Sequence, residues 1–496
     1  MLRDELKKEI SRVAGADIEI KLVEPERSEN GDYSTNLAFL LAKKKGKSPN
    51  DIAEEVAHKL RSAKSDLIDR ADSVGGFVNV WVKDEALIKK LSKKLKFDKQ
   101  NKKINVEFVS ANPTGPLTMA NGRGGFYGDA LANVLMKVGY DVTREYYIND
   151  AGNQIRLLGE SIEAAEGKME EKKEHYKGDY IKKFIGKDIE DVVKILREEI
   201  EKSLEKAGIK FDIWFSEKEL REKKEPEEVL KFLEGKKLVE KKEGAIWLGD
   251  AVLVKSDAEF TYFLVDLAYH FNKFFDRKFD LAIDVWGADH HGYVERMKKG
   301  IEALGVDPER LKIIIMQLVR LVSGGNEVRM SKRAGKFVTI DDLLEQVGAD
   351  VARWFFLERS PNTHMDFDLD LAKEKSEKNP VYYVQYAHTR MHGILVKSQI
   401  TNPKSKIIEF KNPAERNLAL KILRFPELLE DISKDYQVHR LTTYAYELAQ
   451  AFSAFYCDVK VIGSAREAEL LYLVSKTKET LGDVLKLLGI SQPEKM

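Results

Sequence analysis

At 496 residues, 43% hydrophobic and 33% charged, the chain exceeds one ordinary domain and has apolar material for roughly three or four cores. Its 83 basic and 83 acidic residues cancel, so no global field announces a polyanionic partner and any basic surface is local. One cysteine, Cys457, excludes a disulfide framework and a thiolate zinc cluster; no apolar run reaches ~18 residues and the N-terminus lacks a signal-peptide core, so a cytoplasmic protein with no membrane segment is expected.

Residues 1–100 predict a small α+β domain. MLRDELKKEI has amphipathic helical spacing, Phe77-Val-Asn-Val-Trp-Val82 is β-like, and the Lys-rich stretch from Lys89 to Lys103 reads as a connector or solvated face. From 101 to 365, apolar runs alternate with helical patterns, and strands are expected at Ile104–Val109, Asp141–Ile148, Leu281–Trp286 and Lys312–Gln317. That alternation predicts an α/β domain with a Rossmann-like, doubly wound parallel sheet. A charged, helical segment of about 164–250 interrupts it as an insertion. Residues 366–496 lose strand signals and carry amphipathic helices at Asn412–Tyr436, Arg440–Val459 and Ala465–Leu488, an all-α bundle.

Polar groups cluster where such a sheet binds ligands. Ser110-Ala-Asn-Pro-Thr-Gly-Pro116 follows the first strand, and Gly122, Gly124, Gly125 and Gly128 strip one face of the next helix; close ligand approach and tight helix–sheet packing are equal readings. Asn112 offers both a donor and an acceptor. Tyr262 and Asp266, four apart, share a helix face, and Asp266 among Phe260, Phe263, Leu264 and Leu267 wants a cation unless it is a cap or a surface ion pair. Glu217, after an aromatic run, is a second carboxylate in apolar surroundings, and two such groups suit a guanidinium. In Trp286-Gly-Ala-Asp-His-His291, Gly287 permits backbone approach and Asp289 or His290 reaches a ribose hydroxyl; adjacent histidines diverge, so no metal site is expected. Lys332, in Arg329-Met-Ser-Lys-Arg333, is a glycine-flanked cation for a phosphoryl group, or a solvated loop.

Taken together, INVEFVSANPTGPL, YYINDAGNQI, VLVKSDAEFTYFLVDLAYH, VWGADHHGYVERM, RMSKRAGKFVTIDDLL and HRLTTYAYELAQAFSAFY, spread over nearly the whole chain, resemble class I arginyl-tRNA synthetases. The resemblance implies a tRNA-elbow domain (1–100), a class I catalytic domain (101–365) and a helical anticodon-binding domain (366–496). It implies activation of L-arginine with ATP, then transfer to the terminal adenosine of tRNA(Arg), with tRNA bound before activation. By the same resemblance Asn112, with Ser110 and Gln317 nearby, holds the α-amino group; Tyr262, Asp266 and Glu217 hold the guanidinium; and Glu107 falls on a pocket position. Pro113, Gly115, Ala120, Gly122, Gly287, Asp289, His290, Met330 and Ser331 belong to the ATP site, Lys332 is the second lysine of the mobile signature loop, and Tyr386, Arg390, Tyr444 and Met496 meet tRNA, burial in the bundle being the alternative for Tyr444. Magnesium accompanies ATP, no protein-bound zinc is implied, and a monomer is expected.

Two departures stand out. The family's His-x-Gly-His element is Thr118-Met-Ala-Asn121 here, so both imidazoles are replaced by neutral donors and Ala120 stands for glycine. Arg329 replaces the first signature lysine, keeping charge but changing geometry. An active enzyme is expected, because the amino-acid pocket, Lys332 and both tRNA-facing domains are kept; a catalytically silent tRNA-binding relative is the alternative.

Overall fold

The computed structural model describes residues 1–15, 19–93, 95–328, 338–398 and 407–496. Its centre is a five-stranded sheet of β1 (Lys103–Glu107), β2 (Asp141–Ile148), β3 (Ile213–Ser216), β4 (Leu281–Gly287) and β5 (Leu311–Met316). The spatial order is β5-β4-β1-β2-β3 and every pairing is parallel. Chain direction therefore reverses across the sheet between β1 and β4, and ligands of such sheets bind beyond the strand ends at that crevice. Four strands stand where apolar runs placed them. The fifth, β3, lies within 164–250 and forms the edge of the central sheet; its four residues, Ile213-Trp-Phe-Ser216, are too few and too flanked by charge to show a period.

The helix Met119–Lys137 follows β1 and fully buries Phe126, Leu131 and Val134, with Phe126 against Phe356 at 5.6 Å between ring centroids. Its glycines divide by role. A Cβ on Gly128 would stand 2.2 Å from Phe108 Cγ, and one on Gly125 would stand 2.8 Å from Ile209 Cδ1, so these two exist for helix–sheet packing. The rest of 164–250 contains the helix Ile189–Lys206 and the strands Val239–Lys242 and Ala245–Leu248, which with Ala251–Val254 just beyond it form a small antiparallel sheet.

The first domain packs the helices Leu2–Ala14 and Pro49–Ser62 on a three-stranded sheet containing Phe77–Val82. The last domain is a bundle of Pro380–Lys397, Pro413–Asp435, Arg440–Asp458 and Glu467–Leu488, with Asn412 capping its helix through Ala414 N–H at 2.8 Å. These two outer domains touch. Arg3 pairs with Glu430 and Asp431 at 3.0 and 2.6 Å, Arg416 reaches Asp32 at 2.7 Å, and Leu420 of the bundle is buried in the first domain's core. Between them Glu427 accepts the Arg3 backbone N–H and the Tyr33 hydroxyl, and burial pushes its carboxyl up to about 7. No helix among the described residues is long and apolar enough to cross a membrane.

Candidate active site

The crevice at the ends of β1 and β4 collects most of the polar residues singled out in the sequence. After β1 the chain turns through two left-handed residues, Val109 (φ 69°) and Ser110 (φ 39°). Ser110 Oγ donates to Glu107 Oε1 at 2.9 Å and accepts the Tyr147 N–H at 3.1 Å, while the Tyr146 hydroxyl holds Ala111 O at 2.8 Å. Asn112 follows, partly exposed, with Pro113 buried beneath it. Beyond it Gly115 lies against the Tyr180 ring, which lines a cavity of about 480 Å³ with Thr114, Gln154 and Tyr176.

At the helix start the two residues in place of the imidazoles bond to each other. The Asn121 carbonyl oxygen accepts both the Thr118 backbone N–H at 2.9 Å and its hydroxyl at 2.8 Å. This cap ties up the Thr118 proton and leaves the Asn121 amide NH2 as the donor toward solvent, with Ala120 exposed beside it. Gly122 abuts Ile340, which belongs to a segment pinned here: Met119 N–H bonds Val338 O at 3.1 Å and Ile340 N–H bonds Leu117 O at 2.9 Å. The C-terminal flank of the second signature segment is thus held beside the first. Arg329, Met330, Ser331 and Lys332 themselves lie outside the described residues.

Carboxylates gather on the other side. Asp266 accepts the Tyr293 hydroxyl at 2.6 Å, and burial raises its carboxyl to about 6; Tyr293 and His270 pull it down, while Glu217 and Glu107 push it further up. Tyr147 links two of these acids, its hydroxyl donating to Glu217 and its N–H to Ser110, which donates to Glu107. Glu217, 2% exposed, accepts the Tyr147 hydroxyl at 3.0 Å on one oxygen and its helical neighbour Arg221 at 2.8 Å on the other. Tyr262, at the start of the same helix as Asp266, is 53% exposed and forms the open rim. Glu107 is 7% exposed and engaged by Lys273 at 2.8 Å as well as by Ser110. Tyr147, Tyr293, Arg221 and Lys273 were not foreseen. Tyr147 alternates on β2 and carried a readable signal, whereas the Tyr293 contact spans 27 residues and carried none.

On the β4 side a Cβ on Gly287 would stand 2.6 Å from Asp289 Oδ1, the tip of an exposed side chain that can swing aside. Asp289 and His290 are open to solvent, side-chain exposures 83% and 55%, ready for a hydroxylated ligand. Gln317, just past β5, bonds Pro361 O through its N–H at 2.9 Å, and its carbonyl takes Arg123 at 2.6 Å.

A second candidate surface lies on the bundle. The Arg390 guanidinium sits 4.7 Å over the Tyr386 ring and 5.1 Å over Tyr456, beside a cavity of about 540 Å³ that Lys397 and Lys460 also line. Tyr386 and Met496 are exposed. Tyr444 is corrected: its ring is 7% exposed, stacks on Phe425 at 5.6 Å and spends its hydroxyl on Lys421 O at 2.8 Å, so no base can reach it.

Family comparisons cover the chain. Residues 1–82 match the arginyl tRNA synthetase N-terminal domain, 84–178 and 166–390 the class I (R) tRNA synthetase catalytic domain, and 384–496 the DALR anticodon-binding domain. An arginine–tRNA ligase of Carboxydothermus hydrogenoformans is 43% identical over 97% of this chain and 95% of its own length. One from Thermotoga maritima is 41% identical over 100% and 99%. The solved arginyl-tRNA synthetase of Thermus thermophilus superposes with a TM-score of 0.81 at 24% identity, covering 100% of each chain.

Proposed function

The chain belongs to the class I arginyl-tRNA synthetase family, and on that premise we propose how its own residues carry the reaction. It is an ATP-dependent arginine–tRNA ligase. An arginine carboxylate oxygen attacks the α-phosphorus of ATP, the bond to the β-phosphate breaks and pyrophosphate leaves. A ribose hydroxyl of the tRNA terminal adenosine then attacks the arginyl carbonyl and AMP leaves.

The observation that carries the residue assignment is the set of bonds at the sheet's switch point: Tyr147 on β2 donates its hydroxyl to Glu217 and its N–H to Ser110, Ser110 donates to Glu107, and Tyr293, just past β4, donates to Asp266. A guanidinium stays charged at any working pH and accepts no proton, so acceptor-only carboxylates suit it and lysine, with no planar fork, does not. Asp266 and Glu217 bind the guanidinium, with Tyr262 closing the rim; Asn112, Ser110 and Gln317 serve the α-amino end. Pro113, Gly115, Ala120, Gly122, Gly287, Asp289 and His290, with Met330 and Ser331, line the ATP site, where magnesium enters with the nucleotide. The Asn121 amide, backed by Thr118, meets the phosphates, and Lys332 with Arg329 meets the charge that develops on pyrophosphate. Tyr386, Arg390 and Met496 contact tRNA(Arg), aromatics stacking on unpaired bases. The enzyme acts as a cytosolic monomer, with the elbow domain running to about residue 100 and the anticodon domain from about 366.

Arginine-dependent pyrophosphate exchange, with and without tRNA, tests this reading. Exchange with tRNA present is the expected result; intact tRNA binding with no exchange under either condition would identify a silent relative.

The raised carboxyl of Asp266 gives a pH signature. Its protonated form is favoured in the empty pocket, so its stabilising contribution is complete below the ordinary value of 3.8 and is lost as pH rises to about 6. Arginine needs the ionised form. Its equilibrium dissociation constant, measured with tRNA bound, is therefore expected to be flat above pH 7 and to rise toward tenfold per pH unit below about 6. A flat profile down to pH 5 would remove Asp266 from the guanidinium site.

A further inference from the structure

Resting on the reading above, we propose that Lys273 is a positioning residue for arginine binding: its buried ammonium clamps Glu107, Glu107 clamps the left-handed turn at Val109 and Ser110, and that turn sets where Asn112 stands. Lys273 touches no substrate site directly.

The need for an internal cation begins in the sheet register. Glu107 on β1 pairs with Glu145 on β2 and with Asp284 on β4, so three buried acids stand in one row across the central strands. Glu145 is answered by the Tyr269 hydroxyl and by Arg277, and one oxygen of Asp284 by His270 Nε2 at 2.9 Å. The remaining oxygens of Asp284 and Glu107 meet Lys273 Nζ, each at 2.8 Å, and the Tyr269 ring lies 4.3 Å from the same nitrogen. Lys273 is 0% exposed. It sits on Asn272–Asp276, a π-helical turn closing the helix that carries Asp266, and such turns gather at functional sites.

Isolating an ammonium from water costs several kcal/mol, so this arrangement lasts only where its partners are fixed. Burial pulls the Lys273 pKa down, but Asp284, Glu107 and Glu145 outweigh it and keep it charged. Burial equally pushes Glu107 up, and Lys273 is the group that opposes this. Without the ammonium Glu107 loses the partner of its Oε2 and the opposition to that upward push, so the carboxyl that receives the Ser110 hydroxyl on Oε1 is no longer held in place.

That hydroxyl matters because the turn is strained. Two consecutive non-glycine residues with positive φ, one of them β-branched, are sterically costly and persist only when neighbours hold them. The holding contacts on Ser110 are Glu107 Oε1 on one side and Tyr147 N–H on the other. Asn112 stands two residues on, its carbonyl already engaged by Thr114 N–H at 2.8 Å, so a relaxed turn swings it out of the arginine site.

The test uses the full-length protein with tRNA. Lys273→Gln is expected to raise the arginine KM in pyrophosphate exchange by about tenfold or more while the ATP KM stays within about twofold. In a Ser110→Ala background the same substitution should change the arginine KM by about threefold or less, because the link it acts through is already cut. If Lys273→Gln does not fold, the pair Lys273→Gln/Asp284→Asn, which removes one charge of each sign, takes its place with the same expected rise in arginine KM and unchanged ATP KM. Arginine and ATP KM rising in parallel, or additivity with Ser110→Ala, overturns the proposal. Wild-type protein without arginine-dependent exchange would instead overturn the functional reading, so the two failures are distinct.

Discussion

Asp266→Asn is expected to lower kcat/KM for arginine by about three orders of magnitude, with the ATP KM changing by less than about threefold. Asparagine keeps the shape of the side chain and can still accept the Tyr293 hydroxyl that now lies 2.6 Å from Oδ2. It cannot offer a negative charge. Truncating one partner of a desolvated charge pair costs about 2–5 kcal/mol, and the upper half of that range applies because Glu217 already spends both oxygens on Tyr147 and Arg221. Steady-state kinetics with saturating tRNA measures it. A loss smaller than about tenfold means that the guanidinium binds elsewhere.

The second large effect is on stability. Arg353→Met is expected to destabilise the protein by about 3–5 kcal/mol, because it breaks a buried pair and strands several carbonyls together. Arg353, 1% exposed, donates to Asp129 at 2.9 Å, Leu488 O at 3.1 Å, Ala207 O at 3.0 Å and Gly208 O at 2.7 Å. Ala207 closes the helix Ile189–Lys206 and Leu488 ends the last helix of the chain, so the guanidinium also serves two negative helix ends. At about 2–4 °C per kcal/mol for a domain of this size, calorimetry should show the catalytic unit melting roughly 10 °C lower. A shift under about 3 °C would mean that water satisfies these groups after the substitution.

How far the sequence announced this depends on the kind of signal. Long apolar runs such as Leu281-Ala-Ile-Asp-Val-Trp286 told of parallel strands buried on both faces, and Asn412 before Pro413 marked a helix start. β3 escaped because four residues cannot establish a period. Tyr444 was misjudged because an amphipathic pattern says which face of a helix is apolar but not whether a tyrosine on its border is covered by a neighbour; the stacking of Phe425 decides that, and it comes from another helix. Asp266 and Glu217 were visible as acids among aromatics. Lys273 was not, since a lysine between Asn272 and Phe274 reads as surface until the sheet register lines up Glu107, Glu145 and Asp284 above it. Thr118 and Asn121 were seen as replacements, but that they would bond each other needed coordinates.

The contact between the outer domains bears on how the molecule could be shortened. The first domain leans on the bundle helix Pro413–Asp435 through Arg3, Tyr33 and Asp32, and Leu420 is embedded in its interior. A version trimmed to begin at the catalytic sheet would uncover an oily side chain and leave Arg416 and Glu427 without their counter-groups. Such a fragment would lose solubility, so the first domain serves as a cover for the tail.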